Sequence, residues 1–509
     1  MLCKSLSFYL LGLEAFPVEV EVDLSRGLPG VTIVGLPDSS IKESRERIRS
    51  AVINSGFEFP LQKITVNLSP ADLKKEGTAF DLAIALGILA GSRVIEQEQL
   101  RDIAIMGELS LDGSIKGTKG ILSAVIKAKE MKLKEIFIPR ENLREAGLVR
   151  DFRVVPFRHL REVIDYLRGL FTPDSSNETD PLFEEADVSE DFSEIQGQTM
   201  AKRAFEIAAA GGHNLLIIGP PGAGKTMLSQ RMPSILPPLS YEEALETTKI
   251  YSVAGLLNFE KPFILQRPFR NPHFTISEAG LIGGGTIPKP GEVSLAHNGC
   301  LFLDEFPEFR RDVIEALRQP LEDGQVTITR ASFTVTYPSR FLLICAMNPC
   351  KCGYLGHPSK ACTCSFQEIK KYRSKLSGPI VDRMDIHLEV PPVEIRDLLY
   401  DRGAPQEGSK AIRERVVRAR QLQERRYGIP GKLNAHLKPR EIKKFFVFEH
   451  GAMEFIEKAL ERLGLSARAI HKVLKVARTI ADLEDCDIIK KTHLSEALQY
   501  RVLERKVYE

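Results

Sequence analysis

Apolar and polar positions along the chain follow two periods, and the places where the period changes divide it into three blocks. In the first block, "PVEVEVDL" alternates and "GVTIVGL" and "KITVNLSP" run through β-branched residues, which predicts strands. "SIKESRERIRSAVINSG" has apolar residues at helical spacing and a stop at Gly56, and "AFDLAIALGILAG" reads as a second helix. This block, residues 1–170, is an α/β or α+β domain. From 171 to 194 every charged residue is acidic, with two prolines among Ser, Asp and Glu, so the stretch reads as a linker. From 195 to 395 short continuous apolar runs alternate with helical patterns, as a nucleotide-binding α/β domain requires. From 396 to 509 the period is helical throughout, with helices expected over 410–428, 451–464 and 466–484.

The strongest local signal lies in the second block. "NLLIIGPPGAGKTML" is an apolar strand that runs into Gly219-Pro220-Pro221-Gly222-Ala223-Gly224-Lys225-Thr226 and then into a helix. Backbone N–H groups of such a loop turn inward around phosphate oxygens. Lys225 reaches the β- and γ-phosphates, and Thr226 can hold Mg²⁺. In "GCLFLDEF" four apolar residues form a buried parallel strand with Asp304 and Glu305 at its carboxyl end, where ligands of an open α/β sheet bind. Asp304 is the candidate Mg²⁺ ligand and Glu305 the candidate base for water attack on the γ-phosphate. "FLLICAMN" is a third such strand, and Asn348 at its end can orient that water. Arg383, at the entrance of the strand in "SGPIVDRMDIHLEVP", is the candidate arginine supplied to a neighbouring subunit of a ring. Arg468, at the start of an amphipathic helix, is the candidate phosphate sensor of its own subunit.

Directly after Asn348 come two C-x-C pairs, Cys350/Cys352 and Cys362/Cys364, with residues 353–361 between them. Four thiolates without evident redox chemistry suit Zn²⁺. His357 in the same loop is a weaker candidate ligand. The remaining cysteines, Cys3, Cys300, Cys345 and Cys486, have no disulfide-framework spacing, which fits a reducing cytoplasm. No apolar stretch approaches the ~20 residues of a membrane span, and the N-terminus, interrupted by Glu14, does not read as a signal peptide.

Taken together, the P-loop, the Asp-Glu strand, the asparagine strand and the two arginines resemble the AAA+ ATPases. "NPHFTISEAGLIGGGTIPKPGEVSLAHNG" is similar to the helix-2 insert of their magnesium-chelatase-like branch, and "GQVTITRASFTVTYP" to its hairpin before the third strand. The second stretch also reads as a hairpin unaided, with Val326 and Ile328 on one arm and Phe333, Val335 and Tyr337 on the other. "GLPGVTIVGLPDSSIKESRERIRSAVINSGFEFP" and "VNLSPADLKKEGTAFDLAIALGIL" resemble the N-terminal domain of the ComM/YifB family, whose fold is that of the Lon protease (S5-like) domain. The protease's serine position falls on Ala79 and its lysine position on Leu122. Lys119 lies close by, but a base without a nucleophile hydrolyses nothing, and Ser69 and Ser123 read as structural.

The resemblance implies an ATP- and Mg²⁺-dependent hexameric ring acting on DNA, a helicase that drives branch migration in recombination or natural transformation. Charge is nearly balanced overall, 70 basic against 68 acidic residues, but residues 401–444 hold 13 Lys/Arg against 5 Asp/Glu. Basic stripes attract phosphate backbones, although a solvated face or subunit contact gives the same pattern. Arg330, Arg310, Arg311 and Lys289 are candidate DNA contacts in the pore. A chelatase-type or other protein-remodelling ATPase is the competing reading. The Lon-like first block and the cysteine loop argue against a chelatase motor subunit, which resembles only the later blocks, and the missing serine argues against an ATP-dependent protease.

Overall fold

The computed structural model describes residues 1–71, 75, 77–174, 190–260, 262–285, 288–330, 333–376, 378–392, 406–463 and 467–501. The acidic linker expected over 171–194 falls mostly outside them. The chain forms two compact units, one of residues 1–184 with 241–264 and one of residues 185–240 with 265–509.

In the first unit, seven strands form one sheet in the order Gly30–Val34, Lys63–Ser69, Glu14–Ser25, Leu2–Leu11, Ile103–Ile105, Glu135–Pro139, Val154–Phe157. Period-two patterning sets the register of its long strands. Val18, Val20, Val22 and Leu24 point inward, while Glu19 and Glu21 face outward, and Lys4 on the neighbouring strand bridges to both. The helix Asp81–Gly91 is apolar all round and buried along nearly its whole length under this face. Ile121–Glu130 packs on the other side, in a second apolar cluster with Phe8, Met106 and Ile138.

The sequence blocks and the compact units differ in one element. The helix Tyr241–Ala254 follows the P-loop in the second block, yet it packs in the first unit. Leu245 and Phe263 cover the apolar cluster that contains Leu122 and borders Ala79. Lys249 pairs with Glu14 at 3.3 Å, and Ser252 hydrogen-bonds the buried Glu145. Burial raises the Glu145 carboxyl above its usual range, against the opposing hydrogen bonds of Ser252, Asn142 and Leu122.

The second unit is built on five parallel strands in the order Phe269–Arg270, Cys300–Leu303, Leu342–Met347, Leu215–Ile218, Ile386–Glu389. Its central strands are continuous apolar runs because both faces are covered. Helices Ser409–Tyr427, Ala452–Leu463 and Ala467–Leu483 fall within a residue or two of the helical periods read from sequence; with a further helix, Lys491–Gln499, they share one core with the sheet and with Thr199–Gly211. The hairpin Gln325–Arg330/Phe333–Pro338 forms with Val326 opposite Tyr337 and Ile328 opposite Val335.

A buried ionic knot fixes the C-terminal helices. The carboxylate of Asp482 accepts from Arg426 (3.1 Å), Arg478 (3.1 Å) and Asn434 (2.9 Å), and it is fully enclosed. Asn434 also donates to Thr479, which contacts His213 at 2.8 Å. Asp482→Ala would leave the Arg426 and Arg478 guanidinium groups buried without their carboxylate, although Arg478 keeps the carbonyls of Cys486 and Asp487. A loss of about 3–5 kcal/mol is expected, read as a lower midpoint in urea unfolding, whereas a loss under ~1 kcal/mol would contradict the account.

Candidate nucleotide-binding site

Parallel register brings the ends of three strands to one rim. Ile218 pairs with Met347 and Leu303 with Cys345, so Gly219 leaves the sheet level with Asn348, and Asp304 leaves it two residues earlier, level with Ala346. That rim is the crevice in which open α/β sheets bind ligands. The loop 219–224 turns through left-handed glycines, Gly222 at φ +78° and Gly224 at φ +76°, and delivers Lys225 as the first residue of the helix Lys225–Gln230.

Lys225 lies at the centre of this rim. Its ammonium donates to the carbonyls of Gly219 (2.7 Å) and Pro220 (3.0 Å) and to Oδ1 of Asn348 (3.1 Å). Burial lowers its pKa, with Asp304 opposing. The Thr226 hydroxyl donates to Oδ2 of Asp304 at 2.8 Å. This hydroxyl and carboxylate form a hard-oxygen pair of the kind Mg²⁺ takes. Glu305 is exposed and in the left-handed region at φ +52°, with its N–H donating to Oδ1 of Asp304. A non-glycine residue held there costs roughly 1–3 kcal/mol, a strain that clusters at functional sites. Lys225 and Asn348, and Thr226 and Asp304, thus meet through their side chains at this rim, and Glu305 joins them through its backbone N–H.

The other candidates lie elsewhere. Arg383 pairs with Glu322 and donates to the Pro379 carbonyl at 2.6 Å. Arg468 belongs to the helix Ala467–Leu483, but its side chain lies outside the described residues. Arg330, Arg311 and Lys289 are exposed, and Arg310 pairs with Asp312. The two inserts are clasped: the Tyr337 hydroxyl donates to the Pro288 carbonyl at 2.7 Å, and Arg330 reaches the Gly285 carbonyl. Part of the basic charge in 401–444 is paired within the fold. Arg415 pairs with Glu206 and Glu407, Arg426 with Asp482, and Arg420 caps the Ala209 carbonyl.

The four cysteines do come together. Their sulfurs all lie within 4.8 Å of one another, and Cys350 to Cys352 is 3.4 Å. A tetrahedron of ~2.3 Å zinc–sulfur bonds has edges of about 3.8 Å, so the donors fit a single thiophilic ion. His357 is not among them. Its Nδ1 accepts the N–H groups of Ser359 and Lys360 and shapes the loop.

Several contacts, one in the P-loop and others at the amino-terminal end of the sheet, escaped sequence reasoning. Gln198 donates to the Ala223 carbonyl inside the P-loop at 2.8 Å. Asn214, at the head of the P-loop strand, donates to the carbonyl of Arg383, and Lys472 donates to the carbonyls on either side, of Asp382 and Met384. The only signal for Lys472 is its place one helical turn after Arg468.

These features have the arrangement of a P-loop at the carboxyl rim of a parallel sheet. A profile described as "Magnesium chelatase, subunit ChlI" matches residues 191–398, and that subunit's C-terminal profile matches 406–501. A profile described as "Subunit ChlI of Mg-chelatase" matches 20–142, so the first block does not by itself set the chain apart from chelatase subunits, contrary to the expectation from sequence. The chain is 45% identical over 496 residues to the uncharacterized protein YifB of Escherichia coli, and 45% identical over 503 residues to the competence protein ComM of Haemophilus influenzae. Each alignment covers 97% of this chain and 96% of the relative. The magnesium-chelatase 38 kDa subunit of Cereibacter sphaeroides is 22% identical over 178 residues, 31% of this chain and 52% of that subunit. The chain therefore belongs to the ComM/YifB family of magnesium-chelatase-like AAA+ ATPases.

Near the arginine entrance, the buried Asp385 contacts His213 at 3.3 Å. Burial alone would raise its carboxyl, but the His213 hydrogen bond and the charges of His213, Lys472 and Lys475 bring it down from 3.8 to about 2. A depressed carboxyl contributes stability above its unfolded value and loses it as pH falls through the folded one. Asp385→Asn should therefore lower stability at neutral pH and flatten the acid limb of an unfolding curve between pH 3.8 and about 2. An unchanged acid limb would refute the assignment.

Proposed function

We propose that this protein is an ATP-hydrolysing ring motor that acts on DNA and moves branched junctions. The observation that carries the reading is the convergence of Lys225, Thr226, Asp304, Glu305 and Asn348 on one rim, in a chain similar over nearly its full length to a protein named for competence. Lys225 exchanges its loop carbonyls for the β- and γ-phosphate oxygens of ATP. Thr226 and Asp304 hold Mg²⁺, which neutralises phosphate charge when bound. Glu305, held clear of the sheet by its left-handed backbone, takes the proton of the attacking water, and Asn348 orients that water. Arg383 acts in the neighbouring protomer of a homo-oligomeric, hexameric ring, and Arg468 senses phosphate in its own. Zn²⁺ occupies the cysteine quartet.

Exposed Arg330 and Lys289, on the two clasped inserts, and Arg311 face DNA. Contacts of this kind track the phosphate backbone and read structure rather than sequence. The first domain serves binding or assembly and is not a protease, since Ala79 and Leu122 lie with an apolar cluster. Eight free cysteines fit the cytoplasm, and among the described residues no helix is long and apolar enough to cross a membrane. A chelatase-type role is the second reading, favoured by the profile over 20–142.

The test is ATP-dependent migration of a synthetic four-way junction by wild type, Lys225→Ala and Glu305→Gln. Wild type should migrate the junction, Lys225→Ala should fail to bind ATP, and Glu305→Gln should bind ATP with turnover lowered by at least ~100-fold. ATP hydrolysis indifferent to every DNA structure would reject the DNA motor and leave the chelatase-type reading.

A further inference from the structure

The cysteine quartet lies within a closed circuit of contacts that begins and ends at Asn348. Cys350 is two residues past Asn348 and buried. Between the cysteine pairs, the N–H of Cys352 points at Sγ of Cys364 at 3.4 Å, and the sulfurs of Cys352 and Cys362 are 3.5 Å apart. Ser365, the next residue after the quartet, caps the helix Phe366–Arg373 through a reciprocal pair with Glu368. That helix returns to the start. The backbone N–H of Asn348 faces the phenol oxygen of the buried Tyr372, and Nε of Arg373 reaches the Pro349 carbonyl at 3.4 Å.

The circuit also bears on the phosphate loop. Gly353 sits in the left-handed region at φ +85°, with its N–H bonded to the Cys350 carbonyl at 3.0 Å. A side chain there would meet Pro221 of the P-loop at 2.7 Å and Asn348 at 3.9 Å. The backbone of the cysteine loop is therefore packed directly behind the loop that receives phosphate. Nothing in the loop's composition holds this turn by itself. Residues 353–361 are mostly polar or small and largely exposed, with His357 spent on a local turn, so apolar burial contributes little there. Four thiols at this spacing, uncompensated, would repel as they ionise. A single divalent ion with a preference for sulfur removes that repulsion and closes the 350–364 loop.

We propose that this tetrathiolate metal site is a strut of the ATP site: the bound ion fixes Asn348 from behind and braces Pro221, so that metal occupancy sets the competence of the P-loop. The occupant is one soft d¹⁰ ion of the zinc class. The sulfurs lie too close together to be spread over the two metals of a diiron cluster. Binding releases the thiol protons to solvent and needs no electron transfer. The inference rests on the proposed role of Asn348 and Lys225 in ATP hydrolysis.

Full-length protein would be stripped of metal under reducing conditions and reloaded with Zn²⁺ or Co²⁺. Co²⁺ should bind at one ion per chain with the visible absorption of tetrahedral thiolate coordination. Hydrogen exchange should then slow on loading both at 347–353 and at 219–226, a readout independent of turnover. ATP turnover should fall by about ten-fold or more in the stripped protein and return on reloading. Gly353→Ala, which spares every ligand, should keep one ion per chain and still lose turnover. Absence of a stoichiometric thiolate-bound ion would overturn the site. Protection confined to 350–364, or equal turnover with and without metal, would overturn the strut. A loaded wild type that hydrolyses no ATP but shows slowed exchange at 219–226 would support the strut and refute the enzymatic reading instead.

Discussion

Burial of the five parallel strands on both faces is the constraint from which the site follows. A strand such as Leu342–Met347, enclosed at every position, can carry no polar side chain until it emerges. The first polar residues it can place are those just past its end. Because neighbouring strands are in register, those residues meet those of the adjacent strands. Asp304 and Asn348 are the first polar residues past their strands, and there Thr226 meets Asp304 and Lys225 meets Asn348. The cost is concentrated in the turns, where Glu305 adopts a backbone conformation suited to glycine.

A second layer of polar contacts ties the C-terminal helices to the opposite, amino-terminal end of the sheet. Asp482, Asn434, Thr479, His213 and Asp385 form a continuous buried chain from the helical lid to the strand Ile386–Glu389. Lys472, Asn214 and Arg501 hold the three successive carbonyls of 382–384. Charges buried this way specify one arrangement of the parts more than they add net stability. The helix that bears Arg468 and the turn that bears Arg383 are thus held by the same set of groups.

Most of the second unit was legible in the sequence, because its signals are local. Continuous apolar runs, a glycine-rich turn and an Asp-Glu pair each mark their own strand end, and the helices follow their apolar period. The cysteine quartet was legible from spacing, although the C-x-C pairs alone did not show that the loop returns to Asn348 through Tyr372. The assignment of Tyr241–Ala254 to the first unit was not legible. Its apolar positions state that it packs, and only tertiary contact states on what. For the basic stretch 401–444, composition counts charges and cannot show which are already paired, as Arg415 is with Glu206 and Arg426 with Asp482.

The excursion of residues 241–264 also changes what connects the two units. The backbone passes from one to the other at 184/185, at 240/241 and again at 264/265. The acidic linker is therefore one tether of three. A single protease nick in it would leave the first unit still threaded by a helix belonging to the other fragment. The two pieces would travel together, and a gene cut at the linker would yield an N-terminal fragment with Leu245 and Phe263 missing from its apolar cluster. Genetically the protein has domains in series, but topologically the first is completed by the second.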